Sequence, residues 1–228
     1  MSYACANLPA AGSGGATVVL LAGLDTEMTI WELTRLELGA VPVCTYDRAN
    51  LGKSDLVPGP RLFTASVEEL DEFLEAAKVP PPYLLVGHSY GGLVAMLYAA
   101  RHPENVHSLL LVDALLPFED DLDELSKPAA EVQAGRKELN SNREQLTIYG
   151  KLPDSEDVAS SLPAVPIVYL FGRLQDLTEP GWPAGAYLRR MRAFINSLPN
   201  GKIVEVNAGH GIPLEDPAAI AREVHAIR

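Results

Sequence analysis

Positive charge is scarce in this chain. Lys and Arg number 18 against 30 Asp and Glu, a net charge of −12. A surface of that sign repels nucleic acid and anionic lipid, which argues against both as partners. Cysteine is scarcer still: there are two, Cys5 and Cys44. They could pair, but two scattered thiols make no disulfide framework, and reduced thiols in a cytoplasmic protein are the expectation. No apolar run approaches the ~20 residues of a membrane-spanning helix. Met1-Ser2-Tyr3-Ala4 lacks the basic-then-apolar order of a secretory signal. No internal repeat is present. What is there is 228 residues, 47% apolar and 21% charged, enough for one domain with a large core.

The apolar residues come in short continuous runs. Thr17-Val18-Val19-Leu20-Leu21 reads as a strand covered on both faces, and Val41 to Tyr46, Tyr83 to Val86, Val106 to Val112, Val165 to Phe171 and Ile203 to Val206 read as further strands. Residues 1–15 have room for one edge strand. Between the runs lie helical patterns. Val67, Leu70, Leu74 and Ala77 share one face of a helix from about Thr64 to Lys78. Tyr187, Leu188, Met191, Phe194 and Ile195 do the same between Ala184 and Leu198. Asp216 caps and Pro217 begins a last helix with Ile220, Val224 and Ile227 inward. Strand–helix alternation calls for an α/β fold: a doubly wound, mostly parallel sheet flanked by helices, with its site at the carboxyl ends of the strands. The rhythm breaks once. Residues 117–162 are acidic, carry scattered leucines and offer no strand. They read as a short helical lid inserted into a core made of 1–116 and 163–228.

The chemistry concentrates at Leu84-Leu85-Val86-Gly87-His88-Ser89-Tyr90-Gly91-Gly92-Leu93. Gly-x-Ser-x-Gly between a buried strand and a helix is the pattern of a nucleophile elbow, a sharp turn that lifts one side chain, here Ser89, out of the sheet. A serine hydroxyl needs a base, and the base needs an orienting acid. His210, in Asn207-Ala208-Gly209-His210-Gly211 after the last strand, is the base candidate; His88 should point elsewhere. Two carboxylates compete as the acid. Asp176 follows the strand ending at Phe171-Gly172 and gives the chain order serine, acid, histidine, so it takes first place. Asp113, after the strand that follows the elbow, is the alternative, and Glu179 comes third. Backbone N–H groups of Tyr90 and Leu24 are the expected oxyanion donors. Leu122, Leu125, Leu139, Leu146, Ile148 and Tyr149 either roof a pocket or pack the lid down. Trp31 and Trp182 either line the cleft or belong to the core.

With those elements in place, the chain resembles the α/β-hydrolase fold superfamily, in its small serine esterase and lipase-like branch. Tyr46-Asp47-Arg48-Ala49-Asn50-Leu51-Gly52-Lys53-Ser54-Asp55 is similar to the family's YDRxGxGxSD segment, with Asn50 where glycine is usual. Asparagine tolerates the left-handed backbone that such a turn needs. Ala22-Gly23 stands where the family has His-Gly, and Asp176 lies four residues past Gly172 where three is commoner. The resemblance implies a triad of Ser89, Asp176 and His210, with no metal or organic cofactor, acting on a small ester, lactone or thioester through an acyl-enzyme. Two other readings stay open: another triad chemistry, such as carbon–carbon hydrolysis, a hydroxynitrile lyase, an aminopeptidase or a cofactor-free peroxidase, or a ligand-binding member that does not turn over.

Overall fold

A computed structural model describes residues 1–9, 14–118, 128–174 and 185–228. Its centre is a seven-stranded sheet. The strands are β1 (Ser2–Ala6), β2 (Thr17–Leu21), β3 (Val43–Asp47), β5 (Tyr83–His88), β6 (Val106–Val112), β8 (Ile167–Gly172) and β9 (Gly201–Val206), in the spatial order β1-β3-β2-β5-β6-β8-β9. Every pairing is parallel except β1 with β3. Strands β2, β3, β5 and β8 are buried along their whole length. Their continuous apolar runs are therefore the consequence of helices on both faces.

The helices are α1 (Glu32–Leu38), α2 (Ala65–Ala76), α3 (Tyr90–Arg101), α4 (Ala129–Leu139), α5 (Ser155–Ser161), α6 (Ala186–Ser197), α7 (Ile212–Glu215) and α8 (Pro217–Ile227). In α2, Val67, Leu70, Phe73 and Leu74 turn inward while Glu68, Asp71, Glu72 and Glu75 face solvent. In α8 the Asp216 side chain accepts the Ala219 N–H at 3.0 Å, and Pro217 follows at the first helical position. That cap satisfies one of the otherwise orphaned donors of the first turn. Ile220 and Val224 are fully buried below it. One core cluster lies on each face of the sheet. The first gathers α2, α3 and α6, and the second gathers Trp31, Leu38, Ile220 and Val224.

Two expectations change. Cys5 and Cys44 are direct partners in the antiparallel β1–β3 register and are joined by a disulfide, where reduced thiols were expected. Proximity here is set by the pairing of strands 39 residues apart in sequence, which spacing alone does not reveal. The segment between β6 and β8 also contains a strand. β7 (Leu146–Thr147) pairs in parallel with β4 (Arg61–Leu62), forming a small second sheet. Helices α4 and α5 flank it. Leu146 and Ile148 are fully buried in the first core cluster, and Tyr149 packs against it. These residues fasten the segment to the core. Trp31 is likewise fully buried in the second cluster. Leu122, Leu125 and Trp182 lie outside the described residues, as does the side chain of Leu139.

Candidate active site

Ser89 sits between β5 and α3 with φ +51° and ψ −123°. A non-glycine residue reaches positive φ only where its surroundings over-determine it. Here the Ser89 N–H donates to Val112 O at 3.1 Å, and its carbonyl accepts the Gly92 and Leu115 N–H groups, each at 2.9 Å. The glycines around it are spatial requirements. A Cβ on Gly87 would lie 2.4 Å from Gly91 O, and one on Gly91 would lie 2.2 Å from Leu21 O. No side chain fits between β5, α3 and the end of β2.

His210 follows β9, and its Nδ1–H donates to Asp113 Oδ2 at 2.6 Å. The donated proton leaves Nε2 as the basic nitrogen. Asp113 is buried at the end of β6, at φ +44°, and its Oδ1 also accepts the Gly172 N–H at 3.5 Å. Among the described residues, then, the carboxylate on His210 is the alternative, Asp113. Asp176 and Glu179, the first and third choices from sequence, lie outside those residues. Strands β6 and β8 are neighbours, with Val112 opposite Leu170, so an acid following either strand starts near the same histidine.

His88 is buried beside the elbow, and it is not idle. The His210 carbonyl accepts its Nε2–H at 2.9 Å, and the two rings lie 4.8 Å apart. Burial above all, then the neighbouring His210, pushes its pKa down to about 4. His88 therefore stays neutral at physiological pH and holds the His210 loop to the elbow.

The loop after β2 borders Ser89 from the other side. A Cβ on Gly23 would lie 3.3 Å from Ser89 Cβ. The Leu24 N–H has no acceptor among the described residues. Leu24 and Tyr90, the two expected oxyanion donors, follow Gly23 and Ser89 directly in the chain.

Two residues that the sequence reading left without a role lie beneath this loop. Arg48, from the YDRxGxGxSD-like segment, pairs with Glu144, from the segment between α4 and β7, at 2.6 Å. Asn50 nearby takes φ +70° and brackets Val57 with both side-chain atoms, so asparagine does replace the usual glycine there. Glu144 has no local sequence signal, because its partner is 96 residues away. No group of three or more His, Cys, Asp or Glu that could hold a metal ion occurs among the described residues. No helix among them is long and apolar enough to cross a membrane.

A family model described as "Alpha/beta hydrolase family" matches residues 18–223. The chain is 37% identical over 106 residues to the uncharacterized protein YqjL of Bacillus subtilis, covering 46% of this chain and 42% of that one. It is 34% identical over 101 residues to the lipase LipV of Mycobacterium tuberculosis, covering 44% and 38%. The matched stretch thus spans less than half the length of these curated relatives. Among solved structures, a lipase-esterase related protein from Clostridium acetobutylicum superposes with a TM-score of 0.71 at 14% identity, covering 99% of this chain and 98% of that one. At that identity the likeness is one of fold.

Proposed function

The chain belongs to the alpha/beta hydrolase family, and from that premise we propose that it is a serine hydrolase cleaving a carboxylic ester, lactone or thioester of a small molecule. The observation that carries this reading is the juxtaposition at three strand ends. Ser89 is held at positive φ after β5, and the elbow it belongs to is tied through His88 to His210, whose Nδ1–H is bonded to Asp113 at 2.6 Å. In this reading His210 Nε2 takes the Ser89 proton as Oγ attacks the substrate carbonyl. Asp113 fixes the tautomer and stabilises the imidazolium. The Leu24 and Tyr90 N–H groups receive the charge that develops on the carbonyl oxygen, where one such donor is worth about 2.7–4 kcal/mol. His210 then protonates the leaving group, and water releases the acyl-enzyme by the reverse sequence.

The name of the relative LipV accords with an ester substrate. The test is treatment with a fluorophosphonate, with the adduct mapped by mass spectrometry and Ser89→Ala as control. A stable adduct on Ser89, absent from the variant, is the expected result. A folded protein that takes no adduct would overturn the reading and favour a ligand-binding role. Turnover across p-nitrophenyl esters of increasing acyl length would then define the acyl pocket.

A further inference from the structure

The Arg48–Glu144 pair is an expensive feature for a small domain to keep. Both side chains are shut off from solvent, and a buried ion pair does not as a rule stabilise a fold relative to apolar packing. Its bonds show where it acts. Arg48 Nε and Nη2 donate to the two Glu144 carboxylate oxygens at 2.6 and 2.8 Å. The rest of the fork goes to the loop beside Ser89: Nη1 donates to Ala22 O at 2.7 Å and Nη2 to Gly23 O at 2.6 Å. Glu144 reaches the same loop, since Oε1 accepts the Asp25 N–H at 2.8 Å. Arg48 also lies 5.2 Å from the centre of the Tyr90 ring.

The Gly23 carbonyl and the Leu24 N–H belong to one peptide unit. In a planar trans peptide they point in opposite directions. A carbonyl held by a guanidinium on one side therefore commits the N–H to the other side, and a cation at the carbonyl makes that N–H a stronger donor. We propose that Arg48, locked by Glu144, is the positioning residue of the oxyanion hole: it sets the Gly23–Leu24 peptide so that the Leu24 N–H meets the developing oxyanion beside Ser89. This rests on the serine-hydrolase reading and adds to it that the segment between β6 and β8 supplies, through Glu144, part of the catalytic geometry. Burial works against the Arg48 charge, but the adjacent Glu144 carboxylate outweighs it, and the net shift is upward. The guanidinium is thus charged throughout the working pH range.

The experiment measures hydrolysis of p-nitrophenyl acetate and of its thionoester counterpart by wild type, Glu144→Gln and Arg48→Lys. Melting curves accompany each variant, along with Ser89 labelling by fluorophosphonate. Glu144→Gln keeps the shape and loses the charge. Arg48→Lys keeps the charge and loses the fork. Each is expected to lower kcat for the oxygen ester by about 10²-fold with KM within about twofold, the size and pattern of a lost transition-state donor. The ester-to-thionoester rate ratio should fall with it, because sulfur makes little use of an oxyanion donor; a merely structural role would leave that ratio in place. Where Glu144→Gln fails to fold, Arg48→Lys carries the same expectation. A folded variant with unchanged kcat and ratio overturns the proposal while the hydrolase reading stands. A wild type with neither turnover nor adduct overturns both.

Discussion

Two buried carboxylates, each paired with a basic side chain, sit within one region of the molecule, and the pairs differ in how far that partner is exposed. Arg48 and Glu144 are 3% and 0% exposed; His210 and Asp113 are 54% and 3% exposed. In both, the N···O separation is 2.6 Å. The first pair is sealed, and the Arg48 fork is spent on Glu144 and on the Ala22 and Gly23 carbonyls. The second is open on the histidine side, where about half of the His210 side chain is exposed. A sealed pair can hold geometry but cannot exchange protons with a reactant. A half-open pair can do the reverse. Under the proposed mechanism the difference teaches how the site would divide its work: Arg48 and Glu144 would set where the charge is received, and His210 and Asp113 would move the proton.

Substitutions can break this comparison, and the largest effect falls on what both pairs serve. Ser89→Ala should lower kcat on p-nitrophenyl esters by about 10⁶-fold, with little change in the thermal midpoint, checked by stopped assays beside calorimetry. Next comes the sealed pair. Arg48→Met leaves Glu144 buried without its partner and should cost roughly 3–5 kcal/mol in urea unfolding; a loss below about 1 kcal/mol would mean the pair is not sealed.

The third concerns His88. Its pKa is held near 4 in the fold against 6.5 free. Above pH 6.5 both states are neutral and the full contribution is present. As pH falls from 6.5 to 4, the unfolded chain takes up the proton and the folded chain does not, so stability drops by roughly 3 kcal/mol and then levels off. His88→Gln should flatten that acid limb in unfolding measured between pH 4 and 8. The smallest effect belongs to the exposed Arg192–Glu205 pair on α6 and β9. Arg192→Ala should change stability by less than about 1 kcal/mol and that change should vanish in salt.

How much of this the sequence carried depends on how local each constraint is. The parallel strands were readable because burial on both faces demands continuous apolar runs, and α8 was readable because Asp216 and Pro217 signal its start within two residues. Ser89 was readable for the same reason: Gly87, Ser89 and Gly91 lie within five residues of chain, and the contact that demands glycine at Gly87 is with Gly91 itself. The acid was not. Asp113 follows β6 and Asp176 comes four residues after the last residue of β8, and those strands are adjacent, so the sequence names two candidates and the three-dimensional approach of His210 has to choose. Glu144 and the Cys5–Cys44 disulfide were out of reach because each is defined by a partner far along the chain.

Which carboxylate orients His210 decides the proposed mechanism, and one measurement addresses it directly. Asp113→Asn and Asp176→Asn would be compared in the rate of Ser89 acylation by a p-nitrophenyl ester, with folding checked by melting. An amide in place of the orienting carboxylate presents the wrong tautomer and costs on the order of 10⁴-fold in comparable triads. Because the Nδ1–H is already donated to Asp113 at 2.6 Å, a loss of that size is expected for Asp113→Asn and less than about tenfold for Asp176→Asn. The opposite ranking would contradict the assignment.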